Sequence, residues 1–482
     1  MREEELVDLI RKVQRRQSEF QNTELKAASV DFPKRIYDTL SSFSNQDDGG
    51  VIIFGISERD GYEVTGVYDV ENAQKKAMEA CEQMEPSVRA IFTSAEVDGK
   101  IVLAAEIPSV EYWLRPVFYK GVGRLKGSYV RVGDADEPMS EYEIYSYEAF
   151  RRRTREDLRV VPECGMDMLD QNRIKQCLDA AKRNRVRLKS LPDEQIMELL
   201  GMTVNKVPTL ASVLTFAVYP QAWFPQLSII AVSLPGTKMG ETDEDGARFI
   251  DNLRITGTIS DMLDEATSFV KKNMRTKTII DNNGKRRDKD EYPIIAVREA
   301  ILNALIHRDY SLLTESSPIT IEMYRNRMEI VSKGGLYGGG SVNLLGEGRP
   351  ETRNTTLINL LELIDVTENR YSGIPTMRRE MERANLPSPQ FKEGRGEFRV
   401  IFWNGNENLG NDVDKSDILS AVMRFCSVPR SRDELAAFCQ RSRYTTMSTI
   451  VQPLINQGKL METIPEKPKS KNQRYVARDF YA

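Results

Sequence analysis

The sequence predicts a multi-domain α/β (α+β) chain, and three observations carry that expectation. At 482 residues the chain outgrows a single hydrophobic core, and about three or four domains are usual at this length. A composition of 40% hydrophobic and 29% charged residues is that of an ordinary globular protein. Short apolar runs bounded by turn residues alternate with helical periodicities along most of the chain.

Four segments follow from those patterns. The first, 1–157, holds an amphipathic helix over 31–43, a buried strand over Val51–Ile56 and a turn at Arg59-Asp60-Gly61. IVLAAEIP (101–108) and SYVRVGD (128–134) supply two more strands, and RRRTRED (151–157) reads as a linker or exposed helix. The second segment, 158–275, is a connecting α/β region with a helix over Asp193–Leu200 and a strand in LSIIAVSL (227–234). The third, 276–405, again alternates helix and strand. The polar, turn-rich NGNENLGNDVDK (404–415) then separates a fourth domain, 415–482.

Charge and rare residues narrow the function classes. The net charge of −4 hides a basic tail: residues 415–482 carry 12 Lys and Arg against 6 Asp and Glu, leaving −10 on the rest. A basic domain on an acidic body points to a polyanionic partner. Five scattered cysteines without a CxxC pair argue against a disulfide framework or a cysteine zinc site. The single histidine, His307, excludes multi-histidine metal centres. No apolar run reaches the ~18 residues of a membrane span, and the charged start MREEELVDLIRKVQRRQSEF has no signal-peptide core; a cytoplasmic protein is expected.

In the fourth domain, helical spacings over 417–426, 431–438 and 442–457 precede KLMETI and QRYVA, two strands around the lysine-rich PEKPKSKN. Three helices and a basic hairpin make the winged helix-turn-helix plan. The stretch PLINQGKLMETIPEKPKSKNQRY resembles the winged helix appended to Fic-type proteins and related regulators, a pattern that also carries a proline at the position of Pro453. The resemblance implies that Arg443, Tyr444, Thr445 and Ser448 face the major groove of DNA. It places Lys467, Lys469, Lys471 and Arg474 on the wing against phosphate. A reader of two half-sites is expected to be a homo-oligomer.

In the third segment, Glu299, Asn303 and His307 recur at i, i+4 and i+8 in REAILNALIHRDY, so one helix face carries a carboxylate, an amide and an imidazole. Such a stack suits activation of a water and a hydrated magnesium beside a triphosphate. The stretch is similar to the N-box of GHKL ATPases, in the branch of ATP-binding regulators often labelled RecG-like. PTLASVLTFAVYPQAWFP, MEIVSKGGLYGG, RNTTLINLLELI and NRYSGIPTMRREMERANLPSPQF extend the similarity, and a GHKL-like α/β sandwich is its implied fold. It implies ATP and Mg2+ as cofactors, Glu299 as general base and Asn303 as magnesium ligand. Gly334 and Gly335 would then border the nucleotide, and Gly373 would belong to the phosphate loop. Ser332-Lys333 stands where the family usually has Asn-Pro. With His307 inside the N-box, no acceptor histidine is left for a self-phosphorylating kinase, and no GxxxxGK[ST] loop supports a helicase.

In the first segment, EFQNTELK (19–26) and NQDDGGVIIFGI (45–56), closing on YVRVG (129–133), resemble the Schlafen AlbA-type domain. That family binds DNA or RNA, and some relatives cut RNA with a carboxylate trio. The resemblance lets Gly49-Gly50 make a tight helix-to-strand turn. Glu19 and Glu24 have the nuclease spacing, and Glu58 or Asp60 lies near the third position; clustered carboxylates of this kind can hold magnesium against a phosphodiester. Two functions are therefore expected to compete: an ATP-binding, DNA-binding transcriptional regulator, and a metal-dependent nuclease gated by ATP.

Overall fold

The computed structural model describes residues 1–280, 286–347, 351–367, 372–394, 396–405, 422–423, 425–426, 429–439, 446–456, 459–464 and 473–477. It divides into two compact units, 1–324 with 328–384 and 388–402, and 325–327 with 385–387 and 403–482.

The first unit begins with a four-stranded sheet of β1 (Thr23–Lys26), β2 (Gly50–Phe54), β3 (Ile91–Val97) and β4 (Lys100–Ile107), in the order β1-β2-β4-β3. Strand periodicity sends alternate side chains to opposite faces. Ile53, Val102 and Ala104 meet Leu6, Ile10 and Val13 of helix α1 (Glu3–Arg16). Ile52, Phe54, Leu103 and Ala105 meet α2 (Tyr37–Asn45) and α3 (Val70–Glu82) on the other side. Helix α2 starts at Tyr37 rather than at residue 31; Pro33 keeps the residue before it out of the helical region. Strand β2 stops at Phe54, where Gly55 takes φ +99°. The Gly49-Gly50 turn has a steric cause: a β-carbon on Gly50 would stand 2.3 Å from the Phe43 ring, and one on Gly49 2.4 Å from the Ile107 carbonyl oxygen.

After the hairpin β5 (Tyr129–Val132) and β6 (Ala135–Pro138), helix α4 (Glu141–Arg151) opens on a capping box, Ser140 with Glu143. In the RRRTRED stretch the helix ends at Arg151 and the four arginines are exposed, but the stretch is tied to distant residues. Arg153 pairs with Glu351, Arg155 reaches Thr356, and buried Asp157 accepts the Thr356 and Leu357 N–H groups at 2.6 and 3.2 Å. Asp157 thus supplies acceptors to the first turn of a helix two hundred residues away, a capping contact that local sequence patterns do not reveal.

Helices α5 (Gln171–Asn184) and α6 (Leu210–Phe216) lead to a six-stranded sheet. Its strands are β7 (Ile229–Ser233), β8 (Asp251–Ile255), β9 (Ile319–Met323), β10 (Arg327–Lys333), β11 (Gln390–Gly394) and β12 (Glu397–Trp403), ordered β8-β7-β9-β10-β12-β11. Strands β7 and β9 run parallel, joined through α7 (Ile259–Asn273) and α8 (Ile294–His307). The sheet takes two strands from before residue 276, so it crosses the boundary expected between the second and third segments. Helix α9 (Thr355–Leu363) packs on α6, and α10 (Gly373–Arg383) packs on α8.

The second unit has its own core, built from Val422, Cys426, Leu435, Ile450, Val451, Leu454, Leu460, Tyr475 and Ala477. Helix α11 (Arg432–Phe438) and helix α12 (Gln452–Asn456) accompany a small sheet of β13 (Arg430–Ser431), β14 (Leu460–Glu462) and β15 (Arg474–Ala477), ordered β13-β15-β14. A π-helical turn, Met447–Val451, runs into α12 just before Pro453. The wider turn accommodates a ring that has no N–H and would collide with a regular preceding turn.

Candidate nucleotide site and its junction with the N-terminal domain

Helix α8 is apolar on most sides. Ala296, Val297, Ala300, Ile301, Leu302, Ala304, Leu305 and Ile306 are buried, while Glu299 and Asn303 stay half-buried on the remaining stripe. The Asn303 amide nitrogen lies 3.3 Å from Glu299 Oε1. Gly373, the first residue of α10, closes on the same pair: a β-carbon there would be 2.2 Å from Glu299 Oε1 and 2.9 Å from Asn303 Nδ2. Pro375 sits in the first turn of α10, where its missing N–H costs nothing. Desolvation raises the Glu299 carboxyl above its ordinary pKa, against the lowering effects of Asn303 and Arg298. The site therefore joins a carboxyl of raised basicity, an amide and the positive end of a helix dipole.

His307 ends α8 with Nδ1 3.3 Å from Thr352 Oγ1. Its side chain is exposed. The groups around it, with the Arg353 guanidinium, hold the imidazole below its ordinary pKa.

Gly334 and Gly335 belong to a second cluster. Gly334 has φ +104°, and a β-carbon on it would press on the Asp309 backbone nitrogen at 2.8 Å; one on Gly335 would stand 2.1 Å from Glu393 Oε1. Asp309 Oδ2 accepts from the Tyr142 hydroxyl of α4 at 2.8 Å and lies 3.1 Å from Arg353 Nη1. Arg353 Nη2 donates to the Gly335 carbonyl at 2.5 Å. Tyr337 packs edge-on against Phe150 at 5.0 Å, and β-carbons on Gly338 and Gly339 would run into Phe150 and Tyr112. The glycine-rich stretch is thus clamped by the N-terminal segment. A small cavity among Tyr145, Asp309, Tyr337 and Arg353 has room for water rather than for a nucleotide.

The N-terminal carboxylates meet around a cation that no local pattern singles out. Buried Arg131 lies 3.0 Å from Glu24, 3.8 Å from Glu19 and 2.8 Å from Asp136, with its guanidinium 5.1 Å over the Phe43 ring. Lys26 takes the other Glu24 oxygen at 2.5 Å. Asp60 turns away and accepts from Ser57 Oγ at 2.6 Å. Among the described residues no group of three His, Cys, Asp or Glu side chains is placed to hold a metal ion. Glu19 is pushed up to about 7, by burial first and then by Glu24 and Glu58, although the Leu25 N–H and Arg131 act the other way. A folded-state pKa above the unfolded value means that this contribution to stability is lost as pH rises from about 4.5 through 7. Glu19→Gln is therefore expected to raise the melting temperature at pH 8 and leave it nearly unchanged at pH 4. Equal shifts at both pH values would contradict the assignment.

In the second unit, Arg443, Tyr444, Thr445, Lys467, Lys469 and Lys471 lie outside the described residues. Ser448 falls in the π-helical turn. Arg474 is tied into the fold, donating to the Pro429 carbonyl at 3.2 Å and to Glu434 at 3.5 Å.

No helix among the described residues is long and apolar enough to cross a membrane. A comparison with curated proteins gives no match. Among solved structures, the DIP2311 protein of Corynebacterium diphtheriae aligns over 98% of this chain and 99% of its own, at 15% identity and a TM-score of 0.39. The N-terminal domain of a RecG-related protein of Nitrosomonas europaea covers 28% of this chain and 92% of its own, at 25% identity and a TM-score of 0.23. Residues 19–140 match the family model "Schlafen, AlbA_2". Residues 316–402, downstream of Glu299, Asn303 and His307, match "Putative ATP-dependent DNA helicase recG C-terminal". The chain is accordingly similar to the Schlafen AlbA_2 family over 19–140 and to the ATPase-like RecG C-terminal family over 316–402.

Proposed function

We propose that this protein is a regulator that binds nucleic acid and responds to ATP held with magnesium between α8 and α10. The observation that carries the reading is the closure of Gly373, at a helix N-terminus, on the Glu299–Asn303 pair. A glycine there lets the helix N-terminus come close to the pair, and helix N-terminal N–H groups with a positive dipole end suit phosphate. Magnesium keeps several waters and takes few protein ligands beside substrate phosphates, so a single amide oxygen from Asn303 fits it. The chemistry a bound magnesium supplies is charge neutralisation on the triphosphate. Glu299, with its raised pKa, orients and deprotonates a water in any slow hydrolysis.

Nucleic acid is assigned to the AlbA_2 domain and to the second unit. There the order helix, strand, helix, helix, strand, strand supports a winged helix-turn-helix and a transcriptional role. Nuclease action is the less favoured reading, because Lys26 and Arg131 already occupy both Glu24 oxygens. Calorimetry tests the nucleotide site. Asn303→Ala is expected to lose magnesium-dependent ATP binding, whereas Glu299→Gln keeps binding and loses turnover. Equal ATP affinity in wild type and Asn303→Ala would sink the proposal.

A further inference from the structure

Outside both family-model matches, the chain reads KRNRVRLK over 182–189, five cations and no acid in eight residues of a protein with net charge −4. The structure separates those with a structural task from those without one. Lys182 and Arg183 end α5, where cations complement the helix dipole, and Lys182 also pairs with Asp193 at 2.5 Å. Arg185, Arg187 and Lys189 lie beyond the helix, in the single 3-10 turn Val186–Ser190 and at its start. All three are exposed, and none has an ion pair or side-chain hydrogen bond among the described residues.

Their backbone is nonetheless fixed. Arg185 N–H donates to the Ala181 carbonyl at 2.9 Å, Leu188 N–H to the Arg185 carbonyl at 2.9 Å, and Ser190 Oγ to the Arg187 carbonyl at 3.2 Å. Leu188 and Leu191 turn partly inward while the cations stay outward. Holding like charges close together on a rigid turn is unfavourable unless a polyanion meets them.

We infer that this basic ridge binds the phosphate backbone of a nucleic acid, as a contact additional to the AlbA_2 domain and the second unit. One feature points to phosphate, and a second selects nucleic acid over a lipid surface. Three of the four cations from Arg183 to Lys189 are arginines, whose planar fork matches phosphate oxygens in pairs. A segment lying on lipid needs a broad apolar face, and only Val186, 73% exposed, offers apolar surface here. Contacts of this kind add affinity and position the partner without reading sequence. The inference rests on the reading of the chain as a nucleic-acid binder.

The test uses the full chain and a labelled duplex of mixed sequence, with affinity followed across a salt series. The triple variant Arg185→Gln, Arg187→Gln, Lys189→Gln is expected to lower the log–log salt slope by about 0.9 for each phosphate left without its cation, and to bind at least tenfold more weakly. Arg185→Lys with Arg187→Lys keeps the charge and should keep the slope. An unchanged slope and affinity in the glutamine variant, with wild type binding, overturns the ridge and leaves the nucleic-acid reading standing. If wild type shows no salt-dependent binding to duplex, single strand or RNA, the nucleic-acid reading falls and takes the ridge with it. A lysine variant as impaired as the glutamine one, or a loss confined to phosphatidylserine vesicles, also overturns the assignment.

Discussion

Replacing Arg353 with methionine is expected to destabilise the first unit by about 3–5 kcal/mol, the usual cost of breaking a buried ion pair from one side. The Arg353 side chain is only 10% exposed and that of Asp309 only 4%. Methionine keeps much of the stem's packing over Tyr337, 5.3 Å from the guanidinium, but removes the positive charge and the donor to the Gly335 carbonyl. Among the described residues the Asp309 carboxylate then keeps the Tyr142 hydroxyl and the Ser311 N–H, at 2.8 Å each. Asp309→Asn in the same chain removes the stranded charge and should recover part of the loss, and a double-mutant cycle reads the coupling directly. Arg353→Lys restores charge without the fork and should recover less than a full pair. A denaturation midpoint that moves by less than the equivalent of about 1 kcal/mol for Arg353→Met would show that the junction is wet and loosely held.

That junction also marks where sequence reading stops. The α8 stripe is legible because i, i+4 spacing is a local property: Glu299 and Asn303 do meet, at 3.3 Å. The Gly49-Gly50 turn is legible through the Schlafen AlbA-type resemblance, while its steric partners, Phe43 and the distant Ile107, appear only in the structure. Tyr142, Asp309 and Arg353 come from three distant stretches, and each alone is an ordinary polar residue. Only the packing of α4 against the glycine-rich stretch brings them together. Arg131 is similar: it lies within a recognisable motif, YVRVG, but its role as shared partner of Glu19, Glu24 and Asp136 depends on β5 and β6 lying beside α2. The arginines of 151–155 are exposed as their charge pattern suggests, but Arg153 and Arg155 also meet Glu351 and Thr356, partners that no charge pattern near them could name. Gly334 and Gly335 read, by resemblance, as the border of a nucleotide; the glycine-rich stretch they open packs on Tyr112 and Phe150 and is tied to Arg353. A nucleotide that needs this stretch elsewhere must therefore compete with contacts from the N-terminal segment, and ligand-induced change requires such differential contacts between states.

Gly373→Ala is expected to weaken ATP binding by roughly 10- to 100-fold, equivalent to about 1.5–3 kcal/mol for a mispositioned charged hydrogen-bonding group, while leaving the fold intact. The backbone at residue 373 has no left-handed φ, so alanine meets no conformational penalty. Alanine in a helix is even favoured over glycine by about 1 kcal/mol in a helix interior, and less at the first position. The new methyl group would stand 2.2 Å from Glu299 Oε1 and 2.9 Å from Asn303 Nδ2, far inside contact distance. Both atoms are ends of flexible side chains, so the overlap is relieved by rotating them aside rather than by prising α10 from α8, whose contact is anchored by the fully buried Met377 and Met381. Rotation is cheap for stability, but it moves the two groups assigned to the water and the magnesium. The expected signature is consequently a split: an unchanged or slightly raised melting temperature beside a large loss of magnesium-dependent ATP affinity by calorimetry. Loss of both together would mean that α10 had been displaced. Full ATP affinity with unchanged stability would show that nucleotide does not bind at the Glu299–Asn303–Gly373 contact.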